Sequence, residues 1–260
     1  MYTTMQFFHR YRGIFLFLLV FILLGSHGYA QTTGTGSPGL RIDVSGANEE
    51  GDLGLAIQLV IAMTILTLGP SVIMMMTCFT RIIIVLGFVR NAIGVNAAPS
   101  SQIIIGLGLF LTFFIMGPVW NKIYDDAVTP YMEKAMLSSE ALEVATAYMK
   151  DFMMNQTRQE DAQFFLEISR QGAMTRDELP LSIVVPSFIL SELRTAFQMG
   201  FLIFIPFIVV DFIVASTLMS MGMMMMPPVV ISMPFKLLLF VLVDGWYLIV
   251  QSLVESFNIS

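Results

Sequence analysis

Long charge-free apolar runs and one charged interval divide the chain. Leu53 to Thr80 carries no charge over 28 residues, enough to cross a bilayer with tilt. Gly69-Pro70 in its middle predicts a kink or break. A loop from Asn91 to Gln102, closing in a Pro99-Ser100-Ser101 turn, leads into a second apolar run from Ile103 to Trp120, where Trp120 reads as an interfacial anchor. Residues 53–120 therefore read as a first apolar helical hairpin.

From Asn121 to Pro180 the pattern changes: 17 of the 32 charges fall here, 11 acidic and 6 basic. Pro130 suits a first helical turn, and Leu142, Ala145, Met149 and Phe152 recur at amphipathic spacing. Thr157-Arg158-Gln159-Glu160 has capping-box spacing for a second helix, with Phe164, Phe165 and Ile168 as its apolar contacts and Gly172 as its stop. This interval, 121–180, reads as a small soluble helical hairpin domain outside the cytoplasm, with its acidic excess a solvated face.

Residues 181–260 read as a second apolar hairpin. Pro186 opens a helix containing Glu192 and Arg194; Thr195 to Val210 is charge-free, Asp211 interrupts, and Phe212 to Phe235 is charge-free again. Lys236 and Asp244 punctuate the last segment, up to Val254. Inside this region lies MGMMMMPP, residues 221 to 228, where Pro227-Pro228 are expected to break the helix. Charges in such helices cost about 2.5 to 3.5 kcal/mol each at mid-membrane unless partnered. Asp211 lies 16 residues before Pro227, roughly 24 Å of helix, and Lys236 lies 8 residues after Pro228, roughly 12 Å. In one straight hairpin they would miss by about 12 Å, which predicts that Lys236 pairs with an acid on a staggered neighbouring subunit. The alternative is that these charges lie among headgroups, aided by kinks at Pro206 and Pro234. Six of the eight residues from Met219 to Met226 are Met, and four consecutive thioethers cannot all face one way on a helix. At least one projects inward, as a soft, adaptable seal; the alternative is that the run is lipid-facing or core filler. Cu(I) binding by thioethers fits poorly, because Cys78 is distant and no His is near; no metal or cofactor is expected.

Composition sharpens this picture. The chain is 56% hydrophobic and 12% charged, against about 25% charged in soluble domains, so lipid or a large apolar assembly is the main solvent of most helices. The 13 basic residues are scattered and outnumbered by 19 acids, which excludes a phosphate-tracking patch and a nucleic-acid partner. Arg10 and Arg12, the apolar run Ile14 to Leu24 and the small-residue end Gly28-Tyr29-Ala30 form a secretory signal, residues 1–30, expected to be cleaved after Ala30; an uncleaved anchor is the alternative. Residues 31–52 then form a flexible acidic N-terminus outside the cytoplasm, which agrees with Arg81 and Arg90 marking a cytoplasmic end by the positive-inside rule. Removal of the signal also removes His9 and His27, the chain's 2 histidines, which argues against His-based catalysis or zinc. No catalytic residue is assigned.

Three long motifs carry a resemblance: PSFILSELRTAFQMGFLIFIPFIVVD at 186 to 211, MGMMMMPP, and PFKLLLFVLVDGW at 234 to 246. They resemble the FliP family, the flagellar type III export-gate subunits, and the likeness extends from about Leu53 through most of the remaining chain. The resemblance implies an all-α membrane protein in which two long kinked apolar hairpins flank a small periplasmic helical domain. It implies assembly with further copies and with FliQ and FliR into a helical hetero-oligomer that works with FlhA/FlhB-type export components. Through that gate unfolded flagellar proteins leave the cytoplasm, driven by a cytoplasmic ATPase and the proton motive force. The implied location is the bacterial inner membrane at the flagellar basal body, with the assembly largely on the periplasmic side. The family's methionine gasket maps onto Met223, Met224 and Met225, and the additional Met226 leaves the inward register open. Glu192, Asp211 and Lys236 match family positions linked to subunit contacts.

Related injectisome export subunits are an alternative, although they generally lack a cleavable signal and differ at the second proline of Pro227-Pro228. A different class, a small-ion or solute transporter using Asp211, Asp244 and Lys236 as a relay, lacks the internal duplication many such transporters have. An intramembrane protease would need a catalytic pair that the spans do not present.

Overall fold

Among the described residues, hydroxyls and glycines set several helix ends where prolines were expected to. The computed structural model describes residues 52–94, 99–170, 172, 174–176, 178–223 and 226–257. The signal assigned to residues 1–30 and the tract 31–51 lie outside the described residues. Among the described residues the regular elements are all helical. Residues 57–260 form one unit.

Helix α1, Asp52–Met75, runs through Gly69-Pro70, so the break expected there falls later. It comes at Thr77, whose hydroxyl donates to the Met74 carbonyl at 2.8 Å and accepts the Phe79 amide at 3.3 Å. A threonine that satisfies both sides of a break competes with helix propagation. Helix α2, Phe79–Ile93, follows and ends at Gly94, whose φ of 81° only glycine adopts easily. The apolar side chains of α1 from Val60 to Ile73 are largely exposed, whereas Ile82, Val85, Leu86 and Val89 of α2 are fully buried. The first apolar region thus contains three helices, the third being α3, Ser101–Ile123, started by the Ser100 hydroxyl accepting the Ile103 amide.

A π-helical turn, Tyr124–Val128, leads from α3 into the short α4, Thr129–Met132. The turn widens just before Pro130, whose ring and missing N–H disfavour α geometry in the preceding turn. Tyr148 donates a short hydrogen bond to Asp126, pinning this turn to α5, Ser138–Gln156; that bond holds the phenol above its usual pKa. Helix α6, Gln159–Ile168, follows.

Two helices do occupy 138–168, but they are not a free-standing hairpin. Helix α6 packs on α7, Leu181–Ser220, and α5 packs on α7 as well as on α3 and the π-helical turn; Phe152, Met153 and Met154 belong to the same core as Val184 and Phe188 of α7. Of the predicted stripe, Phe152 is buried and Met149 packs against the core, while Leu142 points to solvent. The capping box at Thr157 does not form. Thr157 instead closes α5 by donating to the Met153 carbonyl, and α6 ends at Ile168, before Gly172.

The core centres on α2 and the first half of α7, which touch most extensively. A Cβ on Gly200 would lie 2.4 Å from the Phe88 ring, so glycine is what lets the two helices approach. The last apolar segment is also not one helix. Helix α8, Pro228–Leu242, and α9, Gly245–Glu255, meet at a bend of 62°. Ile57–Met75, Ser101–Met132 and Leu181–Ser220 are long and apolar enough to cross a membrane, as is the bent pair α8 and α9 taken together.

Candidate functional site

The methionine-rich corner is built from α7 outward. Met221 follows the last helical residue, Gly222 has φ 76°, the Gly222 amide donates to Met219 at 3.1 Å and the Met223 amide donates to Leu218 at 3.0 Å. This pair of bonds is the glycine-based termination in which a left-handed residue lets two amides satisfy the last carbonyls. Gly222 therefore ends the helix, not Pro227-Pro228. The prolines start the next one: Pro227 flanks α8 and Pro228 is its first residue, where a missing N–H costs nothing. Met223 and Met226 are 47% and 46% exposed. Met224 and Met225 lie outside the described residues.

That early stop corrects the expected stagger. With α7 ending at Ser220 and α8 starting at Pro228, Asp211 and Lys236 each sit roughly 12 to 14 Å from the corner. They meet within one chain: Lys236 Nζ lies 2.6 Å from Asp211 Oδ2, and the Ser232 hydroxyl donates to Asp211 Oδ1 at 2.5 Å. The offset of about 12 Å arises only if residues 221–227 are counted as helix. Lys236 is nearly buried, and Phe207 and Phe240 stack nearby with ring centroids 6.3 Å apart.

Glu192, expected at a subunit contact, is instead fully buried against Arg81. Arg81 Nε donates to Glu192 Oε2 at 2.9 Å and Nη2 makes a shorter bond to Oε1. The guanidinium also donates to the Ser256 carbonyl and hydroxyl, both at 3.0 Å, reaches Gln156 at 3.4 Å, and lies 3.9 Å from the centroid of the Phe257 ring. One arginine thus ties α2, the end of α5, α7 and the end of α9 together. Next to it Ser191 donates to the buried Asp161 at 2.6 Å and accepts the Arg158 amide at 3.0 Å, while Arg194 lies 3.4 Å from Asp161, fastening the start of α6 to α7.

The corner, both charge pairs and all the helices except the first turns of α1 and the last residues of α9 fall in the span that the FliP family model matches, residues 62–253. The chain belongs to the FliP family. It is 48% identical over 217 residues to the flagellar biosynthetic protein FliP of Bacillus subtilis (strain 168), covering 83% of this chain and 98% of that protein. The FliP of Borreliella burgdorferi is 43% identical over 256 residues, 95% of this chain and 99% of that protein. The FliP of Aquifex aeolicus is 48% identical over 212 residues, covering 80% of this chain and 89% of that protein. Of the Arg81 cluster, only Ser256 and Phe257 lie beyond the span the FliP profile matches.

Arg81 is the residue that sequence reasoning missed in this FliP-family chain. Read as a cytoplasmic-end arginine, it is 2% exposed and internal, so it gives no support to the orientation argument. The signal was present. A carboxylate in an apolar helix needs a cation, and Arg194, two residues from Glu192, projects from a different face. Arg81 and Arg90 were the cations flanking the other apolar runs. Among the described residues no group of three or more His, Cys, Asp or Glu is placed to hold a metal.

Proposed function

We propose that this chain is a membrane subunit of the flagellar protein-export gate, the role its similarity to flagellar biosynthetic proteins favours. In this reading, copies of the chain combine with FliQ and FliR in the inner membrane, work with FlhA/FlhB-type components, and pass unfolded flagellar proteins. Met223 to Met226 then form a soft constriction that excludes ions by dewetting when empty and conforms to the chain in transit. No bond is made or broken by the gate itself.

The observation that supports this best is the construction of the corner. Met223 and Met226 lie between two helix ends rather than on one side of a helix, and Asp211–Lys236 fixes those two ends relative to each other behind them. The unbranched thioether is intrinsically adaptable, and adaptable side chains on a fixed mount are what a seal against variable sequences requires. The apolar second half of α7, where Phe201, Leu202, Phe212 and Ile213 are exposed, offers surface for neighbouring subunits. Replacing Met223, Met224 and Met225 by Ala in the assembled complex is expected to raise ion conductance across a planar bilayer. A conductance equal to that of the unaltered complex would remove the gasket role.

A further inference from the structure

Six charged residues lie between Leu181 and Glu255: Glu192, Arg194, Asp211, Lys236, Asp244 and Glu255. Five have partners in the chain. Glu192 holds Arg81, Arg194 bridges to Asp161 and Glu160, Asp211 and Lys236 hold each other, and Glu255 accepts from Gln251 at 2.8 Å. Asp244 is, among the described residues, the exception: it is exposed and makes no hydrogen bond or ion pair through its side chain.

No local role accounts for its carboxylate. Asp244 occupies the position before α9 where an aspartate commonly caps the helix by accepting a backbone amide, yet it makes no such bond. Its backbone has φ 51°, a conformation that glycine or asparagine adopts with less strain. The bend it occupies is enforced by packing, since a Cβ on Gly245 would lie 2.3 Å from the Phe240 ring, and Phe240 packs edge-on against Trp246 at 5.3 Å. The bend positions Asp244 without using its charge.

Its surroundings are apolar and outward-facing. Val241 and Leu242 are 73% and 74% exposed, and Val243, Tyr247 and Leu248 are also exposed. A continuous apolar rim of this kind is covered in the working molecule, by lipid or protein. Lipid tails leave a carboxylate unpaired, at a cost of kilocalories per mole, whereas a protein surface can cover the rim and neutralise the acid together. The rest of α7 to α9 follows this rule: each charge set in apolar surface has a partner.

We propose that the α8–α9 bend is a subunit-docking point, at which Asp244 pairs with one lysine or arginine carried on an apolar helix of a neighbouring subunit. The proposal rests on the export-assembly reading above. The cation is held against the exposed apolar rim of Val241, Leu242 and Tyr247, and the bend presents the carboxylate to it.

The test compares substitutions that separate the backbone from the charge, in the full chain expressed with its partner subunits. Asp244→Gly and Asp244→Asn both tolerate the left-handed backbone and lack the charge; Asp244→Lys reverses it. The readout is the amount of large complex recovered from gently extracted membranes, relative to the amount of this chain in the membrane. All three variants are expected to reach normal membrane levels. Recovered complex should fall at least about tenfold for Gly and Asn and further for Lys, as for loss or reversal of one partner of a desolvated interfacial pair. Full assembly of Asp244→Gly would overturn the proposal, because the residue would then serve the bend alone. Full assembly of Asp244→Lys would also overturn it and point to headgroups or water around the site. Should the unaltered chain itself extract only as a monomer, the export-assembly reading fails first.

Discussion

Glu192 and Asp211 lie on the same helix, 19 residues apart, and each pairs with a cation from another helix, yet the two pairs are built for different tasks. The Arg81–Glu192 pair sits in the core, with the acid at 0% exposure, and its arginine spends its remaining donors on Ser256 and Gln156. The Lys236–Asp211 pair stands where α7 is otherwise mostly exposed, joins only two helices, and leaves a third of the Asp211 side chain accessible. A buried guanidinium can serve several acceptors in a fixed plane, whereas an ammonium is a compact charge that re-aims easily. The first pair therefore assembles the fold, and the second sets the spacing of two helices behind the methionine corner.

The sharpest way to break this comparison is to remove one partner from each pair. Arg81→Ala leaves Glu192 buried without a cation and strands the Ser256 carbonyl, and is expected to cost about 3 to 5 kcal/mol. The chain should then be degraded in cells or become protease-sensitive in membranes. The double variant Arg81→Met, Glu192→Met removes the stranded charge but not the stranded acceptors, so it should recover only part of the loss. Full recovery of protease resistance would mean that the cluster is a simple ion pair.

How much of this could be read from the sequence follows from what hydropathy measures. Charge-free runs located α1, α3 and most of α7, and the long motifs located the corner and the three charges, Glu192, Asp211 and Lys236, that turn out to be paired within the chain. Hydropathy does not distinguish a helix that faces lipid from one that faces protein. Helices α1 and α2 are both rich in Ile, Leu and Val, yet one is exposed and the other forms the core; the visible difference is that α2 carries Arg81 and Arg90, which hydropathy reads equally well as charges at a membrane end. Helix ends were missed for a related reason. Two adjacent prolines drew attention at 227 and 228, but Gly222 had already stopped the helix, and a glycine inside a methionine run carries little weight in a scan for breakers. The Asp244 bend was hidden because aspartate seldom adopts a positive φ.

The second pair should respond more mildly and in a different pattern. Asp211→Asn leaves Lys236 nearly buried and without its counter-charge, and about 2 kcal/mol is expected, between the values for exposed and buried pairs. Here the double variant Asp211→Leu, Lys236→Met should recover most of the stability, because Ser232 keeps the Val229 carbonyl, 3.2 Å away, as an acceptor. Protein-export activity should remain low in that double variant even so, since the corner loses the contact that aligns its two helix ends. Restored export together with restored stability would place the function of the pair in folding alone, and the contrast with Arg81 would disappear.

The smallest expected effect tests the corner's own stop signal. Gly222→Ala places a Cβ on a backbone at φ 76°, with no atom within 4 Å to clash, so the cost is the left-handed conformation itself, about 1 kcal/mol. If α7 is ended by that glycine, alanine favours running the helix on toward Pro227, which would move positions 211 and 236 out of register. Gly222→Asn tolerates a positive φ and should behave like the parent. Cysteines placed at 211 and 236 report the register directly, since Cys78 is buried and should not compete for the crosslinker. Intrachain crosslinking is expected to be strong in the Gly222 background, to persist in Gly222→Asn and to weaken in Gly222→Ala. Equal crosslinking in all three would mean that the packing of α8 on α7, rather than Gly222, decides where the helix stops, because the cysteine pair itself has already removed the Asp211–Lys236 contact.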